Sequence, residues 1–494
     1  MKKNLPGLFV IISCLVLSFI HCPLFEIFFD DKEIFKYTGL VISKGGVPYR
    51  DFFDHKPPLI FFINYLGLLL GSWGLWIIDT LLVLLATTVF FRTCKKHNVA
   101  LAWLLPVLFN LMIRNNTVSF GIGMTREYST IFLLISFCLI VSEHKYKFYL
   151  LGLITGLIFF FQQDQVLPLL PLFLYAIFNN SAPLLPTLLK RAAGLTVGFL
   201  LVAGPIVLYF LLNHSLQYFW EDAFLFNFNW YNEKQPLWEH VKVIRKHLHN
   251  CNYDVIFYGA CIAGIASLVW GNKKKWLLIC SIAAVLLSFC SELLSGKLAI
   301  GLAIVYYFLP LAATVPFLLF VVFAFSEETI FSQRRQQFVY GAILSANLFI
   351  HLLQYTISLS PKYDNLYTTT AEFQYLKKQG LKDYDLYAFN NANYVYFYNH
   401  FKILSPSKWI YHFFWNWFDK WDADHKILES ITTDLKRHRT RYVLDFADST
   451  NFKNKQHLLY WKSFLNDNYV PVTLENPALK AVLWEIKEDP AGVK

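Results

Sequence analysis

Windows of about 20 residues with almost no charge recur along this chain, and they restrict its fold more than any other feature. A helix needs roughly that length to cross about 30 Å of hydrocarbon. Of the 494 residues, 56% are hydrophobic and 18% aromatic, against 16% charged. A soluble fold of this size has too little interior for so many Phe, Leu and Ile side chains. A transmembrane barrel would show roughly ten-residue alternating segments, and the sequence has none. The chain reads as a polytopic α-helical membrane protein.

The net charge of +10 raises nucleic acid as a partner, but its distribution argues against that. Lys and Arg collect in short loops: RTCKKH (92–97), EHKYK (143–147), GNKKK (271–275) and SQRRQQ (332–337). Basic loops between spans mark the cytoplasmic side. The eight cysteines are scattered, mostly within apolar segments, and form no CxxC pair. They point to packing rather than to zinc or a disulfide framework. The N-terminus resembles a signal peptide but lacks a small-residue cleavage site, so it reads as an uncleaved first span.

Hydropathy and loop charge together predict about eleven spans. They fall near residues 5–25, 73–91, 99–113, 128–141, 148–161, 166–178 and 192–212, then one ending at GNKKK and one exiting at 295–297, then 298–323 and 338–357. This places the N-terminus in the cytoplasm and the protein in the cell (plasma or inner) membrane. The apolar stretch after Pro58 is expected to lie along the interface, as is the Trp-rich external segment 220–238. From Pro361 onward the chain turns polar. Strand-like runs (DLYAF, YVYFY, RYVLDF, AVLWEI) alternate there with helix-like ones (AEFQYLKKQG, KILESITTDLKRH). The expected division is a membrane domain over 1–360 and a small α/β extracytoplasmic domain over 361–494.

The chemistry concentrates in the first external loop, 26–72. Residues 48–58 read PYRDFFDHKPP, with Arg50, Asp51, Asp54, His55 and Lys56 crowded beside the bilayer. Upstream, FFDDKEIFKY carries Asp30, Asp31 and Glu33. Charge clustered against hydrocarbon usually lines a functional cavity. A carboxylate can act as general base, and Lys or Arg can neutralise a leaving phosphate. The same charges can instead cap helix ends and pair with one another; on composition alone both readings stand.

The order of these pieces resembles the GT-C glycosyltransferases. An early span is followed by an acidic pair, Tyr37 and then GGVPYRDFFDHKPPL. More narrowly, it is similar to the branch holding protein O-mannosyltransferases and aminoarabinose transferases. Members of that branch read Asp-Glu, a nearby Tyr, a Gly-rich stretch, PYRD and Lys-Pro-Pro. The likeness is sharp over 26–72 and rests elsewhere on topology. It implies a GT-C-like membrane fold, a polyprenyl-phosphate sugar donor and transfer on the extracytoplasmic face.

Counting back from Gly45–Gly46, the resemblance puts Asp31 at the first acidic position, as catalytic base. The second position is Lys32 here rather than Glu, which leaves Asp30 and Glu33 as competitors. Lys56 matches the Lys that meets the donor phosphate, with Asp54 and His55 shaping the site around it. Arg50 either joins the phosphate site or pairs with Asp51 to fix the loop. Glu127, in GMTRE, matches a recurrent acidic residue, or is simply a helix-start charge favoured by the dipole. Lys297, before the aromatic YYFLP run, is a second candidate for the phosphate, or an ordinary interfacial lysine. Gln162, Gln163 and Asp164 at a span end read as solvated groups or as part of the same cavity.

The expected reaction is an inverting sugar transfer to a lipid, glycan or protein acceptor. No cofactor is required, although Asp31 with Glu127 or Asp54 could hold a divalent cation. A flippase or transporter of lipid-linked oligosaccharide is the first rival, and would bury charges mid-span; the charges here read as confined to external loops. The others are a polysaccharide polymerase or ligase, and a non-catalytic glycan-binding membrane partner.

Overall fold

A computed structural model describes residues 5–25, 30–115, 118, 122–178, 185–229, 236–250, 253–289, 305–327, 365–389, 392–410, 422, 426–446, 454–475, 477, 479 and 481–487. Its first helices are α1 (Leu5–Phe19), α2 (Asp30–Ser43), α3 (Leu59–Leu69), α4 (Gly74–Lys96), α5 (Leu104–Ile113) and α6 (Thr125–Ile140). Then come α7 (Lys147–Phe161), α8 (Leu170–Phe178), α9 (Leu185–Leu212), α10 (Leu237–Asn250), α11 (Asp254–Trp270), α12 (Lys275–Leu287) and α13 (Leu311–Phe325). Among the described residues, three helices are long and apolar enough to cross a membrane: Gly74–Lys96, Leu185–Leu212 and Tyr306–Phe325. A bent pair, Ile244–Asn250 with Asp254–Trp270, is a fourth candidate. The other expected spans within the described residues are shorter apolar helices, so the count of eleven is not reached by length. The expected eleventh span (338–357) and the SQRRQQ loop lie outside the described residues.

Helix α13 is the centre of the bundle. It is apolar all round, and 89% of its span window is buried, as expected for a helix ringed by other helices. It packs against α5, α6, α11 and α12. Helix α9 is the opposite case, with Leu200, Leu201, Leu208, Leu211 and Leu212 exposed, a face suited to lipid. Its inner side meets α7 through facing glycines. A Cβ on Gly152 would come within 2.0 Å of Leu195 O, and one on Gly198 within 2.1 Å of Tyr149 O. Both helices carry a Gly-xxx-Gly spacing (152/156 and 194/198), the pattern that lets backbones touch in a membrane.

Two of the basic loops, RTCKKH and GNKKK, meet at one end of the bundle. The His97 ring sits against Phe320 and Phe325 at 5.5 and 5.3 Å, and the Lys273 N–H donates to Phe325 O at 2.8 Å. This joins RTCKKH and GNKKK to the end of α13. The acidic α2 and the PYRD loop, on the same chain, pack instead with the C-terminal part.

That part is a four-stranded sheet with helices. Its elements are α14 (Ala371–Lys378), β1 (Leu386–Phe389), α15 (Val395–Phe401), α16 (Lys426–His438), β2 (Tyr442–Asp445), α17 (Lys455–Asn468), β3 (Tyr469–Pro471) and β4 (Val482–Ile486). The strand order is β1-β2-β4-β3, with β1 and β2 parallel and the other two pairings antiparallel. Three of the four strand-like runs form strands. The exception is YVYFY (394–398), which enters helix α15. Its buried residues Tyr394, Val395, Phe397 and Tyr398 follow a helical spacing, and the helix packs on α2.

Candidate active site

Helix α2 opens with Asp30, Asp31 and Glu33, acidic residues that suit the positive end of the helix dipole. It is stopped by the glycine pair. Gly45 takes φ 87° and the Gly46 N–H donates back to Val41 O at 2.9 Å, a glycine C-cap. A Cβ on Gly46 would sit 2.4 Å from Val41 Cγ1. The Gly-Gly of the motif is therefore set by the helix end.

The loop that follows is rigid. The Val47 N–H donates to Asp51 Oδ2 at 2.7 Å, and Arg50 closes on Asp51 at 2.8–2.9 Å. The pair is therefore engaged in holding the loop. Tyr49 adopts φ 68°, a costly state for an aromatic residue. Its hydroxyl donates to Lys56 O at 2.7 Å, and its ring is wedged among Phe61, Phe210 and Phe219. Asp54 Oδ1 accepts the Lys56 N–H at 2.8 Å, turning the chain just before Pro57–Pro58. Residues 226–227 cover this loop, with Asn227 Nδ2 donating to His55 O at 2.8 Å and Phe226 5.7 Å from the His55 ring.

Lys56 is thereby buried, with 8% of its surface exposed. Burial pulls its ammonium below the usual lysine range. Asp31 and Asp54 oppose that shift, Arg126 adds to it, and Asp164 opposes it. Five charges from four segments thus converge: Asp31 on α2, Asp54 and Lys56 in the loop, Arg126 on α6, and Asp164 in the 3-10 turn Gln163–Leu169. Arg126 Nη2 meets Asp164 Oδ2 at 2.9 Å and its guanidinium lies 3.9 Å over the Tyr307 ring. Next to it, the Tyr306 hydroxyl donates to Asp31 Oδ2 at 3.4 Å. Gln162 Nε2 and Gln165 Nε2 donate to Asp164 at 2.5 and 3.1 Å.

Other candidates fall elsewhere. Glu33 turns toward the C-terminal domain, accepting from Asn399 Nδ2 at 2.8 Å and from Lys36 Nζ at 3.1 Å. Glu127 belongs to a separate buried network. It accepts the Gly123 N–H at 2.9 Å and shares the Arg114 guanidinium with Asp79. Asp79 lies in the second turn of α4, fully buried, so the charges are not confined to external loops as read from sequence. The Asp30 side chain and Lys297 lie outside the described residues. Among the described residues, no group of three or more His, Cys, Asp or Glu is placed to share a metal ion.

Arg126 was passed over in the sequence in favour of its neighbour Glu127. The available signal was an Arg in the first turn of an apolar helix, where only a buried carboxylate partner would hold it.

No family model matches the chain, and no curated protein sequence matches it. Solved structures match its fold, among them two of one protein. Both are crystal structures of ArnT from Cupriavidus metallidurans. The apo form has a TM-score of 0.63 at 11% identity, over 98% of each chain. The form bound to undecaprenyl phosphate has a TM-score of 0.61 at 11% identity, over 97% of this chain and 98% of that one. The fold is that of ArnT. At this identity the likeness is one of architecture, and it spans the membrane bundle and the C-terminal domain together.

Proposed function

We propose that this chain transfers a sugar from a polyprenyl-phosphate donor to an acceptor on the extracytoplasmic side of the membrane. The observation that carries the reading is the convergence of Asp31 and Lys56 with Arg126, in a fold shared with a protein crystallised with undecaprenyl phosphate. Asp31 is the general base, oriented by the Tyr306 hydroxyl. It takes the proton of the acceptor hydroxyl as that oxygen attacks the anomeric carbon. The carbon–oxygen bond to phosphate breaks, its electron pair leaves with the polyprenyl phosphate, and configuration inverts. The Lys56 ammonium neutralises the departing phosphate. Asp54 and His55 shape the pocket around Lys56, and Asp164 holds Arg126 beside it.

The orientation follows from loop charge. The PYRD loop and the C-terminal domain touch, through the Phe53 N–H on Lys408 O at 2.8 Å, so they share a side, opposite the basic loops. The buried Asp79 and Glu127 are the one feature that favours the transporter rival. Both are tied to Arg114, which suits a structural pin better than an ion path. Mass spectrometry of envelope lipids and glycans from a deletion strain tests the function. Complementation is expected to restore one species heavier by a single sugar residue. An unchanged envelope, or a change in lipid location without a change in mass, would refute transfer.

A further inference from the structure

Helices α10 and α11 turn a sharp corner. The second half of α10, Ile244–Asn250, meets α11 at 112°, so the two do not form one straight span. The corner is fixed by the buried Tyr253. Its N–H donates to Leu248 O at 2.9 Å, and its hydroxyl donates to Met112 O at 2.5 Å, near the end of α5. Helix α11 carries an exposed apolar stripe of Val255, Tyr258, Ile262, Ile265 and Val269, whose spacing keeps it on one face. In a membrane bundle such a stripe faces lipid. With α11 standing against hydrocarbon, α10 runs along the membrane surface.

The outer side of α10 mixes cations with apolar groups. Leu248 is buried and Ile244 half-buried, and these mark the inner side. At about 100° per residue, Val241, Arg245, Trp238, Lys242 and Lys246 then follow one another round a single outer flank. All five are exposed, Trp238 by 65% and Val241 by 44%. An indole on such a flank suits the headgroup level of a bilayer, where its ring meets the acyl boundary. Glu239, the one carboxylate of α10, is taken by Lys242 at 2.9 Å. Asp254, at the corner, is taken by His249 at 2.9 Å. Arg245 and Lys246 have no carboxylate partner among the described residues. Two uncompensated cations therefore stand beside exposed apolar side chains.

We infer that α10 docks on the headgroups of anionic phospholipids, with Trp238 and Val241 at the acyl boundary and Arg245 and Lys246 on the phosphates. A zwitterionic surface would satisfy the apolar half of the flank alone. The two unpaired cations give the preference for lipids of net negative charge. A soluble acidic partner would answer the charge but would leave the apolar half without hydrocarbon. The inference goes beyond the transferase reading and does not depend on it, since it needs only a membrane around α11.

The test uses the full-length protein with the photo-crosslinker benzoylphenylalanine in place of Trp238, in nanodiscs of equal parts dioleoylphosphatidylglycerol and dioleoylphosphatidylcholine. Illumination followed by mass spectrometry counts the lipid adducts at this position. Phosphatidylglycerol adducts are expected to outnumber phosphatidylcholine adducts about threefold or more. Raising NaCl to about 0.5 M is expected to bring the two close to parity. The double variant Arg245→Gln with Lys246→Gln is expected to do the same at low salt; both side chains are exposed, so the fold is spared. Lys377→Gln with Lys378→Gln, which removes two exposed cations of α14, is expected to leave the excess unchanged. Cross-linking to protein without lipid adducts, equal adducts at low salt, or an excess that survives Arg245→Gln with Lys246→Gln overturns the assignment.

Discussion

Lys56 is an amine taken out of water, where burial opposes its charge and Asp31 and Asp54 favour it. Because burial lowers its folded-state pKa below that of an ordinary lysine, its charged form is lost as pH rises through that lowered value. Transfer is therefore expected to fall on the alkaline side earlier than 10.5, and a pH–rate profile reads this directly. Asp222, in the helical turn Glu221–Leu225, shows the opposite sign. Burial pushes its carboxyl up to about 7, against the pull of Lys408. With the folded pKa above the unfolded one, its contribution is in full below about 4 and is lost as pH rises to about 7. Asp222→Asn is expected to be more stable than wild type at pH 8, by roughly 1–4 kcal/mol, and to match it near pH 4. Thermal unfolding at the two pH values checks this. At this scale Asp31 and Lys56 could be singled out because the family resemblance places its acidic position before Gly45–Gly46 and its lysine before Pro57–Pro58. Arg114 was not, since its partners Asp79 and Glu127 lie on other helices and no local pattern joins them.

Between elements, two contacts decide stability. Arg114 pins neighbouring ends of α4, α5 and α6 by sharing its guanidinium between Asp79 and Glu127. Arg114→Met leaves two buried carboxylates without their cation, at an expected cost of about 3–5 kcal/mol, seen as a lower unfolding temperature in detergent. The α7–α9 crossing depends on glycine. Gly198→Val places a side chain against the Tyr149 carbonyl and is expected to cost about 1–3 kcal/mol, whereas Gly204→Ala, where a Cβ meets nothing within 4 Å, is expected to be neutral. Helices were readable from hydropathy, and β1, β2 and β4 from their apolar runs. YVYFY misled because its aromatic residues favour strands, while its buried positions carry a helical period. The three-residue β3 was too short to show any period.

For the molecule as a whole, the helical bundle and the C-terminal part meet across α2. The Ser405 N–H donates to the Tyr37 hydroxyl at 2.8 Å, Asn399 reaches Glu33, and Lys44 Nζ lies 2.5 Å from Asp383 Oδ1. The C-terminal domain thus supports the helix that carries Asp31. The change in composition at Pro361 raised the expectation of such a part. It gave no sign of the seam, because Tyr37, Glu33 and Lys44 meet partners more than 300 residues away. The decisive measurement is sugar transfer in membranes by Asp31→Asn and Lys56→Ala, with insertion verified for each. Both are expected to lose at least about 100-fold in rate, the first with donor binding intact and the second with donor binding weakened. Near wild-type transfer by both inserted variants would contradict the assignment of base and phosphate site.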